Sequence, residues 1–500
     1  MPEKNTPRFK KWFAIAVVAI GLLLSAVMAL LPMFVSTMAT PLHAEPERAP
    51  SAALSEPSPQ WSAAVKQARQ VARTALAEQN LPALSVAVGT GGDVVWAEAF
   101  GWSNIKDQTP VTPQTRFRIS TTSEALTSAA IGALLEQNRL NLDDEIQKYV
   151  PEFPKKRWPV TLRQVMAHVS GLPADDENTL NRQRCERPVE ALPVFADRDL
   201  LFEPGTQYRY SHYDWILASL AIEAASGQPF LSFMRDQVFA PLGMNDTGAE
   251  SAKQENPEAH GEDAEDAPPL VAFHDLVLEP IGLGHRPKAP TEWATSYVRG
   301  WGPKAAFRHG VHVQFPRNLS CYAGARAFFS TPSDLVRFGL AINSSRLLQP
   351  ATVQSLQASQ QLHSAQQTGH GLGWDRQTVS LAGSRTEAIG HNTGPATGTV
   401  VSFMTFPERG IVVAVMSNIS HADTSALAVK VAEAFIGSLR PRVHVDENST
   451  SDQIHIRIGQ AHPHQAEPRE EHVAFVEPRR PFPHAVARAR AAQAVVTTPN

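Results

Sequence analysis

Two strand signatures at opposite ends of the chain constrain its fold more than any other feature. Leu84-Ser85-Val86-Ala87-Val88 and Val94-Val95-Trp96-Ala97 flank Gly91-Gly92, and two apolar runs about a glycine turn read as a β-hairpin. Val400 to Phe406 and Ile411 to Met416 repeat the pattern, with Pro407-Glu408-Arg409-Gly410 as the turn. Helical spacing marks Trp61 to Gln79, Thr122 to Leu135 (entered from Ile119 to Thr121) and Ser425 to Leu439. Strands at both ends with helices between them predict an α+β domain whose termini share one antiparallel sheet. Residues 61–440 make up that domain and are numerous enough to bury a substantial core.

The flanks read differently. Within residues 1–11, Lys4, Arg8, Lys10 and Lys11 precede an uncharged run over 12–35, from Trp12 to Val35. A helix of that length matches a hydrocarbon core of about 30 Å. Basic residues ahead of it predict a single-pass membrane segment, with the main domain on the periplasmic or another extracytoplasmic side. A cleavable signal has an apolar region of only about 7 to 15 residues, so a retained anchor is expected. Cleavage after Ala44, in Leu42-His43-Ala44, is the alternative. Residues 36–60, rich in Pro, Ala, Ser and Glu, read as a flexible linker. The acidic stretch 250–270 reads as a solvated loop and lacks the Asp-x-Asp-x-Asp-Gly spacing of a calcium site. Residues 441–500 read as a disordered, solvated tail that a protein partner could use. His462 and His464 within it would permit at most weak metal binding.

A net charge of −4, with no basic stripe, argues against a nucleic-acid partner. Cys185 and Cys321 show no zinc-type spacing. Two unpaired thiols are the expectation, and one Cys185–Cys321 bridge is the alternative.

Chemistry is expected at the start of the Thr122 to Leu135 helix. Residues i and i+3 share a helix face, so a Ser-x-x-Lys pair would set an ammonium beside a hydroxyl at the positive helix end. A tyrosine from another segment can then take the serine proton. An ordered set of short matches runs through most of 61–440. Phe117-Arg118-Ile119 is followed by Leu140-Asn141-Leu142-Asp143-Asp144 and Tyr149-Val150-Pro151-Glu152-Phe153. Thr161-Leu162-Arg163-Gln164, His168-Val169-Ser170-Gly171-Leu172-Pro173 and Phe202-Glu203-Pro204-Gly205-Thr206 come next. Tyr208-Arg209-Tyr210-Ser211, Ser226-Gly227 and Pro241-Leu242-Gly243-Met244 follow. Ser330-Thr331-Pro332-Ser333-Asp334-Leu335 and Gly371-Leu372-Gly373-Trp374 complete the series. By these matches the chain resembles the serine β-lactamase-related proteins of class C type, which include D-alanyl-D-alanine carboxypeptidases, esterases and mitochondrial lactamase-like proteins. The resemblance implies a β-lactamase/transpeptidase-like fold, an antiparallel sheet flanked by helices with a helical subdomain. It implies no metal or organic cofactor, and ligands such as peptidoglycan-type peptides, β-lactams or small esters and amides.

The catalytic positions depart from the family pattern. Ungapped from Phe117, the serine falls at Thr121 and the lysine at Glu124. Threonine keeps a hydroxyl. Glutamate reverses the charge, moving the energy of a neighbouring anion by about 8 kcal/mol at most, from two terms of roughly 4 kcal/mol each. Tyr-x-Asn reads Tyr210-Ser211-His212, so Tyr210 keeps the place of the base and His212 replaces the amide. The third motif, expected on an edge strand, falls at His391-Asn392-Thr393-Gly394. One extra residue lies nearby. Before Thr393, it would put Pro395, which has no N–H, in the place of an oxyanion-hole donor; later, Gly394 supplies that donor and Thr393 and Gly394 bind substrate. The expectation is impaired catalysis with a retained ligand-binding cleft. An active hydrolase with Thr121 as nucleophile and Tyr210, Glu124 or His212 as base is one alternative, with Ser120 and Ser123 as substitute hydroxyls. A non-catalytic scaffold acting through the anchor and tail is another.

Overall fold

Alternating side chains in the terminal strands sort onto two faces, and each face is covered by its own helices. The computed structural model describes residues 15–28, 30, 41–175, 180–181, 183–249, 292–299, 309–314, 318–394 and 398–439. The N-terminal hairpin is β2 (Ala83–Thr90) and β3 (Asp93–Asn104), with Gly91 and Gly92 at the turn in the left-handed region, φ 62° and 93°. Four C-terminal strands follow: β4 (Asp375–Leu381), β5 (Ser384–Asn392), β6 (Val400–Phe406) and β7 (Ile411–Ser417). A short edge strand, β1 (Ser51–Ala53), pairs with β3. The order across the sheet is β1-β3-β2-β7-β6-β5-β4, and all of these pairs are antiparallel. The two ends of the domain meet where β2 pairs with β7, from Thr90–Ile411 to Leu84–Ser417.

One face presents Val86, Val88, Phe100, Val413 and Val415 to helices α1 (Ser62–Glu78) and α5 (Thr424–Leu439). The other presents Ala87, Ala97, Val412 and Ala414 to α4 (Pro332–Asn343). Small residues there let the helix sit close. A Cβ added at Gly89 would lie 2.4 Å from Val336 Cγ1. Beyond α4 lies the helical subdomain, built on α2 (Ser123–Glu136) and α3 (His212–Ser226). The α+β layout and the shared sheet are as the sequence implies.

Several expectations are corrected. Residues 41–60 are not a free linker: Leu42 N donates to Asn80 Oδ1 at 2.8 Å, His43 is buried against the Leu81 carbonyl, and β1 extends the sheet. A strand of three residues is too short to read from composition. Cys185 and Cys321 form a disulfide, not two free thiols, because the fold brings together segments 136 residues apart. The strand of the third motif is not at the edge, since β4 flanks β5; the β4 pairing begins only at Asp375–Gly390, which leaves His391 onward uncovered on that side. Among the described residues no single helix is long and apolar enough to cross a membrane; the apolar helix Ile15–Met28 covers the middle of the expected span. The rest of 1–40, the acidic stretch 250–270 and the tail 441–500 lie outside the described residues.

Candidate functional site

The start of α2 is held by its own hydroxyls. Ser120–Thr122 form a tight turn ahead of the helix, and Ser120 sits at φ 44°, a strained conformation for a residue with a Cβ. Ser123 Oγ donates to Ser120 O at 2.6 Å and accepts from Phe328 N at 3.3 Å, so this hydroxyl belongs to the scaffold. Thr121 is half-buried. It lines a cleft of about 320 Å³ together with Ser120, Glu124, Tyr210, His212, His391 and Gly394.

Glu124, the second residue of the helix, is buried to 1 % exposure, and three side chains converge on its carboxylate. Tyr210 Oη donates to Oε1 at 2.5 Å. His168 Nε2 and His391 Nε2 approach Oε2 at 3.4 Å and 3.5 Å. Behind His168, Asp214 takes Nδ1 at 3.1 Å and the Ser170 hydroxyl at 2.6 Å. Burial pushes the Glu124 carboxyl up, but the hydrogen bonds and charges of His168 and His391 prevail and hold it down at about 2. Burial likewise pushes the His168 imidazole down, and its bonds to Asp214 and Glu124 carry it up to about 9. Trp215 Nε1 also lies 3.2 Å from His168 Nε2, a contact that is a hydrogen bond only to a neutral ring. The doubly protonated ring is favoured here, because it alone compensates a buried carboxylate on each side.

Tyr210 is the decisive residue. Burial, the Glu124 charge and the hydrogen bond to it all raise its pKa well above 10. A base needs the opposite shift, and in the structure the Tyr210 hydroxyl is a donor to Glu124. His212 Nδ1 meets Asp175 Oδ1 at 2.8 Å, and its Nε2 is buried with no hydrogen-bond partner among the described residues. His391 lies on the cleft side of β5, raised by the Asp375 charge and the Glu124 bond against the effect of burial. Asp375 in turn receives His370 Nδ1 at 2.9 Å, and His370 stacks on Tyr208 with ring centres 5.0 Å apart.

The β5–β6 register runs unbroken from Ile389–Thr405 to Asn392–Ser402, and Thr393 N then donates to Val401 O at 2.9 Å. The extra residue therefore falls after Thr393, and Gly394 lines the cleft. Thr393 is not a lining residue: its hydroxyl accepts from Val401 N at 2.8 Å and ties the strands together. Pro395 lies outside the described residues. The sequence did not reveal His168, Asp375 and Arg326 as cleft groups, nor Asp214 behind His168. His168-Val169-Ser170 was visible only as a fold match, and Asp214 hides in an otherwise apolar helix. No group of three or more His, Cys, Asp or Glu among the described residues is arranged to hold a metal ion.

Comparison with known proteins agrees with this architecture. The model of the Beta-lactamase family matches residues 68–436. The mouse serine beta-lactamase-like protein LACTB, mitochondrial, is 26 % identical, with 37 % of this chain and 47 % of the relative covered. Protein flp of Staphylococcus aureus strain NCTC 8325 is 28 % identical, covering 36 % of this chain and 37 % of that protein. The chain thus spans less than half the length of these curated relatives. Among solved structures, the D-amino acid amidase of Ochrobactrum anthropi SV3 superposes with TM-score 0.57 at 19 % identity, over 75 % of this chain and all of the other. FmtA from Staphylococcus aureus gives 0.56 at 16 % identity, over 76 % and 90 %. At these identities the structural likeness speaks to the fold.

Proposed function

We propose that this chain, which belongs to the beta-lactamase family, uses its cleft to hold a ligand without forming an acyl-enzyme by the family's lysine–tyrosine chemistry. The observation that carries this reading is the Tyr210 hydroxyl donating to Glu124 at 2.5 Å. A tyrosinate there would face a buried carboxylate at hydrogen-bond distance, a like-charge pair that costs several kcal/mol or more at low effective dielectric. The cleft remains open and lined by Thr121, His391 and Gly394, so binding survives where proton abstraction does not. Peptidoglycan-type peptides, β-lactams and small esters or amides are the ligand classes consistent with the family.

The same reading places the domain outside the cytoplasm on a retained N-terminal anchor. The disulfide Cys185–Cys321 supports an oxidising compartment. Cleavage after Ala44 would remove His43 from its buried site against Leu81, which favours retention.

One observation favours a second reading, an active hydrolase. His212 is oriented by Asp175 through Nδ1, lines the same cleft as Thr121, and its Nε2 has no hydrogen-bond partner among the described residues, as a base for Thr121 would. Exposure to a fluorescent penicillin and a fluorophosphonate, followed by intact-mass spectrometry, separates the two. The wild-type chain is expected to stay unlabelled, and the double variant Thr121→Ser, Glu124→Lys to gain the adduct. Wild-type labelling that disappears in Thr121→Ala overturns the binding reading in favour of the hydrolase.

A further inference from the structure

The N-terminal segment joins the domain at one end of the sheet. Leu42 N donates to Asn80 Oδ1 at 2.8 Å and His43 meets the Leu81 carbonyl at 3.0 Å, just ahead of Ala83, where β2 begins. Because neighbouring strands are antiparallel, that end also holds the start of β4 at Asp375, the close of β5 at Asn392, the start of β6 at Val400 and the close of β7 at Ser417. Asp375, His391, Asn392 and Gly394 line the cleft. From β5 across β6 and β7 to β2 is about 14 Å at ordinary strand spacing. The interval is bridged as well. Asn80 Nδ2 donates to His309 O at 3.0 Å, the strand Val311–Val313 pairs with Tyr297–Arg299, and Tyr297 N donates to Asn418 O at 2.8 Å, one residue beyond β7. The opposite end of the sheet carries the turns at Gly91-Gly92 and Pro407-Glu408-Arg409-Gly410.

We infer that the cleft-bearing end of the sheet is the surface of the domain that faces the bilayer, so that ligands meet the cleft at the membrane. This rests on the retained anchor proposed above and adds where that anchor puts the cleft. Val35, the end of the uncharged run, and Leu42, the first residue tied to Asn80, are seven residues apart. Fully extended, that link spans only about 25 Å. The seven residues of β6 carry the chain about 23 Å from the cleft end to the far turn. With the far turn against the lipid, Leu42 would stand at the limit of the link's reach, which costs the link its conformational freedom. With the cleft end toward the lipid, no extension is needed. A ligand attached to the same bilayer then meets the cleft at a high effective concentration, which a ligand free in solution does not.

The test is energy transfer from the full chain to an acceptor dye on the lipid headgroups, in vesicles of phosphatidylcholine and phosphatidylglycerol. The native cysteines are joined in the disulfide, so a thiol introduced at an exposed position takes the donor alone. Ser364→Cys and Gln366→Cys report the cleft end, on the loop where His363 N donates to Gly205 O and which leads to His370 in the cleft. Glu408→Cys and Asp93→Cys report the two far turns. A thermal melt of each variant establishes that it is folded, and either member of a pair suffices. Donor quenching is expected to be about two-fold or more stronger at the cleft end, given the separation of about 23 Å along the sheet. Quenching equal at the two ends, or stronger at the far turns, in a chain that resists alkaline carbonate extraction overturns the inference and leaves the anchor standing. A chain that carbonate releases from the vesicles overturns the anchor, and the inference with it.

Discussion

Where α1 and α5 cover the sheet, Trp61 and Trp96 pack on Phe435 with ring centres 5.7 and 6.0 Å apart. At the start of α2, three ionisable groups, Glu124, His168 and Asp214, are buried as deeply. The first region is held by area removed from water and tolerates no change of volume. The second is held by compensation of charge, and it tolerates a change of sign so long as each buried group meets an opposite one. That contrast explains how a chain can keep this fold and carry glutamate where the family pattern has lysine. The carboxylate is met by two imidazoles and a tyrosine hydroxyl, and the scaffold around it takes no part in the exchange.

The contrast can be broken or sharpened by experiment, beginning with the largest effect. Phe435→Ala should cost about 3–5 kcal/mol in denaturant unfolding, leaving the cleft titrations unchanged. A loss under about 1 kcal/mol would remove the distinction between the regions. Cys321→Ser should lower stability by about 2–4 kcal/mol, since the disulfide closes a long loop between the helical subdomain and the segment bearing Arg326.

Glu124→Gln is expected to cost about 1.5–3 kcal/mol, the worth of a hydrogen-bonded charge, and to change how stability depends on pH. Glu124 has its folded pKa lowered from 4.5 to about 2, so its contribution is present above about 4.5 and fades as pH falls toward 2. His168 has its folded pKa raised from 6.5 to about 9, so its contribution is full below about 6.5 and fades as pH rises through 9. Asp214, raised by burial, opposes Glu124 on the acid side and shallows that limb. A melting profile highest between about pH 4.5 and 6.5 is the expected outcome, with both limbs flatter in Glu124→Gln. A profile identical in the variant would show that the carboxylate is not coupled to His168. The smallest effect belongs to the surface: Asp143→Asn removes an ion pair with Arg163 that is 69 % exposed on the acid side, and unfolding should register only about 0.2–1 kcal/mol.

The two regions were also unequally legible in the sequence. Val86, Val88, Val413 and Val415 lie in short apolar runs, and Gly91-Gly92 marks the turn, so the shared sheet follows from local patterns. The cleft residues on matched motifs, Thr121, Glu124, Tyr210, His212, His391 and Gly394, were locatable because the short motifs Phe117-Arg118-Ile119, Tyr208-Arg209-Tyr210-Ser211 and His391-Asn392-Thr393-Gly394 carry or adjoin them. Their partners were not. His168 and Asp175, Asp214, and Asp375 come from three separate segments, and nothing in the spacing of one carboxylate reports an imidazole brought up by the fold. The direction of the Tyr210 hydrogen bond was hidden for the same reason: it depends on Glu124 being ionised, which depends on His168 and His391.

The central claim is that Tyr210 is held protonated by Glu124. Carbon-13 labelling of the tyrosine ring at Cζ reports that protonation directly, with Tyr210→Phe assigning the resonance. The account predicts a Tyr210 signal that stays in its protonated position through pH 10, the ordinary tyrosine value, while Glu124→Gln brings its titration downward. A Tyr210 resonance that titrates to the tyrosinate near neutral pH in the wild-type chain would contradict it.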